Sequence, residues 1–115
     1  MADSHPVANS QLDPSSLTGK SFDCHLGPFT PRLTVLSPTA LRVQALIGTT
    51  RIDEVMSSEI TAVRPGVFIL NWTEPSGTFV VQVQDHENHI VHNYARLADG
   101  QVFSARGALQ QVQAA

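Results

Sequence analysis

Residues Val63–Val112 read VRPGVFILNWTEPSGTFVVQVQDHENHIVHNYARLADGQVFSARGALQQV. Apolar and β-branched runs alternate there with turn signals at Arg64-Pro65-Gly66, Glu74-Pro75-Ser76-Gly77, Asp85 to Asn88 and Ala98-Asp99-Gly100. That rhythm describes four antiparallel strands with tight connections, over Val67–Glu74, Thr78–Asp85, His89–Arg96 and Gln101–Val112. A small meander of this kind closes into a barrel, and such a barrel commonly works through its interior.

The upstream half supplies the remaining strands. Gly19 to Leu26 alternates loosely and carries Phe22 and Cys24. Leu33 to Leu36 forms a second strand. Thr39 to Ile47 sets Leu41, Val43, Ala45 and Ile47 on one face and Arg42 and Gln44 on the other, the period of a half-buried strand. Arg51 to Val63 is ambiguous. Ile52, Val55 and Met56 have helical spacing, whereas Ser58 to Val63 reads as strand. We take the segment as one strand with a bulge, with a short helix as the alternative. The expectation is an all-β protein, a small antiparallel up-and-down barrel of about eight strands over residues 17–115, preceded by a flexible polar tail over residues 1–16.

Length and composition fit one domain. The chain has 115 residues, 42% of them hydrophobic and only 15% charged, with a net charge of −3. Lys20 is the one lysine and no basic block exists, so nucleic-acid binding has little to work with. Cys24 is the only cysteine, which rules out an intrachain disulfide and fits a reducing compartment. The N-terminal residues lack the charged and apolar regions of a secretory signal, and no apolar run approaches membrane-spanning length. The expectation is a cytoplasmic protein with no membrane partner, in which the Asn71-Trp72-Thr73 glycosylation pattern has no meaning.

Facing decides the candidate site. In Val67–Glu74 the face Phe68, Leu70, Trp72, Glu74 is placed inside, because the tryptophan gains most from burial. In the next strand Phe79, Val81, Val83 and Asp85 are placed inside, with Gln82 and Gln84 outside. In His89–Arg96 the face Ile90, His92, Tyr94, Arg96 is placed inside. In the last strand Phe103, Ala105, Gly107 and Leu109 are inward, Gly107 relieving crowding or allowing a bend. The expected ligand-binding set is therefore Phe68, Leu70, Trp72, Glu74, Val81, Val83, Asp85, His92, Tyr94 and Phe103. Apolar outer positions, Val67, Ile69, Val80 and Val91, point to a homodimer.

Three motifs carry candidate chemistry. Glu74, Asp85, His92, Tyr94 and Arg64 or Arg96 would bring carboxyl, imidazole, phenol and guanidinium groups to an apolar cavity. Glu74, Tyr94 and Arg64 are the catalytic candidates there. Asp85-His86-Glu87-Asn88-His89 with His92 has the spacing HxxHxxH. On a strand, however, residues three apart face opposite sides, so no metal is expected. Leu17-Thr18-Gly19-Lys20-Ser21 ends like a phosphate-binding loop but has Pro14 where the first glycine belongs and no helix after it. Cys24 reads as a packed core residue, and no cofactor fingerprint occurs.

Arg64-Pro65-Gly66-Val67-Phe68, Trp72-Thr73-Glu74, Gly77, Asp85, Phe103 and Gly107, with the opening Leu17 to Phe22, resemble the MoaF-like proteins over roughly residues 17 to 112. The resemblance implies a calycin, a barrel of the lipocalin type with an internal pocket. Phenolic acid decarboxylases are similar at a greater distance. They use tyrosines with an arginine and a glutamate, and this chain offers Tyr94 alone, with Glu74 and Arg64 as counterparts. Three functions follow in order: binding of a small apolar molecule with a polar group; a cofactor-free lyase, isomerase or cyclase in the same cavity; or a structural or regulatory homodimer with a filled core.

Overall fold

The computed structural model of the chain describes residues 12–113. A 3₁₀ turn, Pro14–Leu17, leads into eight strands: β1 (Ser21–Cys24), β2 (Arg32–Ser37), β3 (Ala40–Ile47), β4 (Thr50–Arg64), β5 (Val67–Thr73), β6 (Phe79–Asp85), β7 (Ile90–Arg96) and β8 (Val102–Val112). Each pairs antiparallel with the next, and β8 pairs with β1 to close the barrel. Closure gives every strand a partner on both sides, although β4 and β8 change partner partway along their length. The tail expected over residues 1–16 lies outside the described residues as far as residue 11. Pro14 to Ser16 belong to the 3₁₀ turn, whose Asp13 carboxylate accepts from the Ser15 backbone N–H at 3.0 Å.

The ambiguous segment is one 15-residue strand, β4. It pairs with β3 over Thr50–Ser57 and with β5 over Ser58–Arg64, with a register shift between Ala62 and Arg64. Met56, Ser58 and Ile60 are buried while Val55 is 64% exposed. Alternation with period two thus overrides the helical spacing of Ile52, Val55 and Met56.

Two faces run opposite to expectation. β6 buries Val80, Gln82 and Gln84, leaving Phe79, Val81, Val83 and Asp85 on the outer face. β7 buries Val91, Asn93 and Ala95, leaving His92, Tyr94 and Arg96 exposed. The two strands are locked together by register, since Gln82 lies opposite Asn93 and Val81 opposite Tyr94, so inverting one inverts both. Glutamine is admitted to the interior because its partners are there too. Two of the four residues that pointed to a homodimer, Val80 and Val91, are therefore core, and Val67 is buried as well. The outer apolar surface is carried instead by partly exposed Ile69, Phe79, Val81 and Val83 beside exposed Tyr94.

After β1 the chain crosses the barrel wall at Gly107. The His25 backbone N–H donates to Ala108 O at 2.9 Å, and the His25 carbonyl lies where a side chain on residue 107 would begin: a Cβ there would stand 1.6 Å from it. Only glycine admits this close approach. The crossing sends Leu26 to Pro31 over one mouth of the barrel, where Phe29 packs on Phe103 with ring centroids 5.4 Å apart. Leu17, Phe22 and Phe68, all buried, fill the opposite end.

Candidate functional site

The mouth under the Leu26–Pro31 crossing holds a cavity of about 270 Å³. Its wall is mostly apolar: Leu26, Phe29, Pro31, Leu33, Val43, Ala45, Ile47, Ile52, Trp72, Val80, Ala95, Leu97 and Phe103. Four polar residues interrupt it, Glu74, Thr78, Gln82 and Asn93. The small side chains of Val80 and Ala95 lie side by side between Trp72 and Phe103, and with Ala45 they leave room that the larger lining residues do not fill. Small ligand pockets start near roughly 300 Å³, and an apolar cavity of roughly 150 Å³ already takes up benzene, so the volume suits a one- or two-ring molecule.

Glu74 follows the last residue of β5 and stands at the rim. Trp72 Nε1 donates to its Oε2 at 3.4 Å. Burial raises the Glu74 pKa above the usual carboxylate range; the tryptophan bond opposes that shift, and the charge of Glu54 adds to it. The turn behind it is set by backbone bonds, Glu74 N to Thr78 O and Gly77 N to Glu74 O, both 2.8 Å. Gly77 has a φ of 92° there, and a Cβ on it would crowd Ala98 of the neighbouring turn at 3.1 Å. The lining contains no lysine, arginine or histidine, so the cavity offers nothing to neutralise an anion.

Deeper in the barrel, buried amides bond one another. Gln82 Nε2 donates to Asn93 Oδ1 at 2.9 Å, Gln84 Nε2 donates to Gln82 Oε1 at 3.0 Å, and His86 Nε2 lies 3.0 Å from Gln84 Oε1. Bonding to one another makes three buried amides and a partly buried imidazole tolerable. The Cys24 thiol lies 3.8 Å from Gln82 Oε1, and burial pushes its pKa up to about 12, so it is no nucleophile.

The expected site residues divide accordingly. Trp72, Glu74 and Phe103 line the cavity. Phe68 and Leu70 face inward but belong to the packed interior. Val81, Val83, Asp85, His92 and Tyr94 lie on the outer face, away from it. Asp85 shapes a turn instead: its carboxylate accepts from the Glu87 and Asn88 backbones at 3.0 and 2.9 Å and from Asn88 Nδ2 at 2.9 Å. Those bonds, the Asn88 side chain first, hold its pKa below the ordinary value. Arg64 pairs with Glu87 at 3.0 Å beside the closed end and is half exposed, while Arg96 is exposed outside. Glu74, Tyr94 and Arg64 are thus not assembled into one acid–base centre. The histidine-rich turn separates too: His86 turns inward, His89 takes a φ of 58° in the turn, and His92 faces out. Among the described residues no group of three or more His, Cys, Asp or Glu side chains could hold a metal.

Sequence reasoning missed Gln82 and Asn93, along with the crossing residues Leu26, Phe29 and Pro31. A signal for Asn93 was present. Its face-mates Val91 and Ala95 are apolar, whereas the opposite face of β7 carries the charged Arg96. No local pattern reveals the crossing, because it depends on Gly107, some 80 residues downstream of Leu26.

A profile described as MoaF-like matches residues 18–110. A search of curated proteins finds no significant match. Among solved structures, the fold is similar to that of a Burkholderia vietnamiensis protein described as "a putative beta-lactamase", with a TM-score of 0.78 and 15% identity, over 84% of this chain and 95% of that one. At that identity the likeness is one of fold. No helix among the described residues is long and apolar enough to cross a membrane.

Proposed function

The chain belongs to the MoaF-like family, and on that footing we propose that it binds a small, uncharged, mostly apolar molecule with a polar group in the mouth of its barrel. The cavity of about 270 Å³ carries this reading: thirteen apolar residues form its wall and only four polar ones interrupt it. A space of that size also argues against a barrel filled by its own core. Binding without turnover is favoured, because Glu74 is the one titratable group in the lining. The free, buried thiol of Cys24 accords with a cytoplasmic setting.

Native mass spectrometry of freshly purified protein tests the proposal, alongside the variant Ala95→Leu, which puts three more carbon atoms into the cavity. The wild type is expected to carry an added small mass that organic extraction releases, and the variant to carry none. Trp72, the only tryptophan, sits in the cavity wall and gives a second readout. A bare wild-type chain whose emission shows no saturable response to acetophenone or ethylbenzene would overturn the reading.

A further inference from the structure

The hydrogen bonds of the buried row all run in one sense. His86 Nε2 meets Gln84 Oε1, Gln84 Nε2 meets Gln82 Oε1, and Gln82 Nε2 meets Asn93 Oδ1, at 3.0, 3.0 and 2.9 Å. An amide oxygen only accepts, so this geometry puts the His86 proton on Nε2. Each amide then turns its oxygen toward His86 and its nitrogen toward the cavity. Gln82, Gln84 and Asn93 are 1%, 0% and 7% exposed. Flipping one of them would oppose two oxygens or two N–H groups among buried side chains, so the favoured arrangements have the whole row running one way or the other. Its anchor is held by aromatic packing: the His86 ring meets Phe22 edge to face at 4.8 Å and Phe68 at 5.9 Å. Burial, with Lys20 nearby, keeps that ring neutral down to about pH 4, so at pH 7 it carries a single ring proton.

Asn93 ends the row at the cavity wall. Its oxygen is taken by Gln82, and among the described residues no group accepts from its Nδ2. We infer that Asn93 presents a hydrogen-bond donor to the cavity, that the bound molecule turns an acceptor such as a carbonyl or ether oxygen toward it, and that Gln82, Gln84 and His86 are the positioning residues that fix this polarity. The inference rests on the pocket proposed above and narrows its ligand class. A donor that the bound molecule covers without pairing is penalised, so the site discriminates by the acceptor as well as by shape.

Acetophenone and ethylbenzene have nearly the same size and differ by C=O against CH₂, and calorimetric titration at pH 7 compares them. Acetophenone is expected to bind at least about tenfold more tightly, a modest figure for one buried hydrogen bond. Asn93→Leu brings the ratio near one. His86→Phe lowers the preference, while His86→Gln, which can still donate to Gln84, retains it. A purely structural role for His86 would not distinguish those two by ligand preference. Long-range proton–nitrogen correlation spectra of the free wild type read the tautomer without any ligand. An Nε2-protonated ring supports the row as drawn. An Nδ1-protonated ring reverses it, turns the Asn93 oxygen to the cavity and overturns the inference. Equal binding of the two probes overturns the inference and leaves the pocket standing; binding of neither removes both.

Discussion

At the closed end of the barrel, Phe22 and Phe68 point inward beside Leu17 of the 3₁₀ turn, and the His86 ring packs between the two phenylalanines. At the mouth, the small Ala45, Val80 and Ala95 stand among larger residues such as Trp72 and Phe103, and about 270 Å³ is left open. The same eight strands close the barrel around both ends, although β4 and β8 change partner partway along. What differs between the ends is the side chains that point in. The polar groups follow the same division. The closed end holds a partly buried, neutral histidine bonded to an amide, whereas the mouth half-buries a carboxyl at its rim.

The largest expected effect comes from hollowing the closed end. Phe68 is 2% exposed, and Phe68→Ala should cost about 3–5 kcal/mol through lost burial and the cavity left behind. Thermal unfolding should then begin about 15 °C lower or more. Ala95→Leu at the mouth makes the opposite change in volume and should leave the melting temperature unchanged or raised. A cost below about 1 kcal/mol for Phe68→Ala would mean that the closed end is loosely packed, and the contrast between the ends would break.

The second effect sharpens the electrostatic side of the contrast. Burial first, then the positive charge of Lys20, lowers the His86 pKa to about 4. The unfolded chain binds its proton near pH 6.5, so the folded state binds fewer protons between those values. Stability from the neutral ring is complete above about pH 6.5 and is lost as pH falls toward about 4. Urea midpoints at pH 7 and pH 4.5, compared between wild type and His86→Gln, isolate this from the titrating carboxylates. The wild type should lose about 1–2 kcal/mol more than the variant, after allowance for solvent reaching the ring. Parallel losses would show that His86 takes up its proton alike in the folded and unfolded states.

How much of this was legible in the sequence depends on where the information sits. The eight strands and their turns are local: Gly66, Gly77 and Gly100 all take positive φ where the turn signals put them. The inward face of β5 follows from one bulky residue, Trp72. β6 could not be faced by the same rule, because Val80, Val81 and Val83 offer apolar residues to both sides and glutamine is ordinarily an outer residue. What reverses it is cooperative. Gln82 and Gln84 are buried because Asn93 and His86 stand opposite and above them, a non-local satisfaction that alternation cannot register. An interior pocket with Trp72, Glu74 and Phe103 in its wall was expected, but the crossing over its mouth was out of reach, since it is enabled by the absence of a side chain at Gly107.

The smallest effect tests the mouth. The Glu74 pKa is raised chiefly by burial, against the bond from Trp72 Nε1 and with the charge of Glu54 adding to the shift. For a carboxyl raised on folding, the stabilising contribution is full below the unfolded value near 4.3 and is lost as pH climbs through the folded one. Its pH response is thus opposite in sign to that of His86. At pH 7 the charge on Glu74 works against the fold, and Glu74→Gln, which keeps an oxygen for Trp72, removes that charge. The variant should melt about 1–3 °C above the wild type at pH 7 and together with it at pH 3.5, where both side chains are neutral. A lower melting temperature at pH 7 would show that the ionised carboxylate holds the rim together, making the mouth an electrostatic structure and not merely an unfilled one.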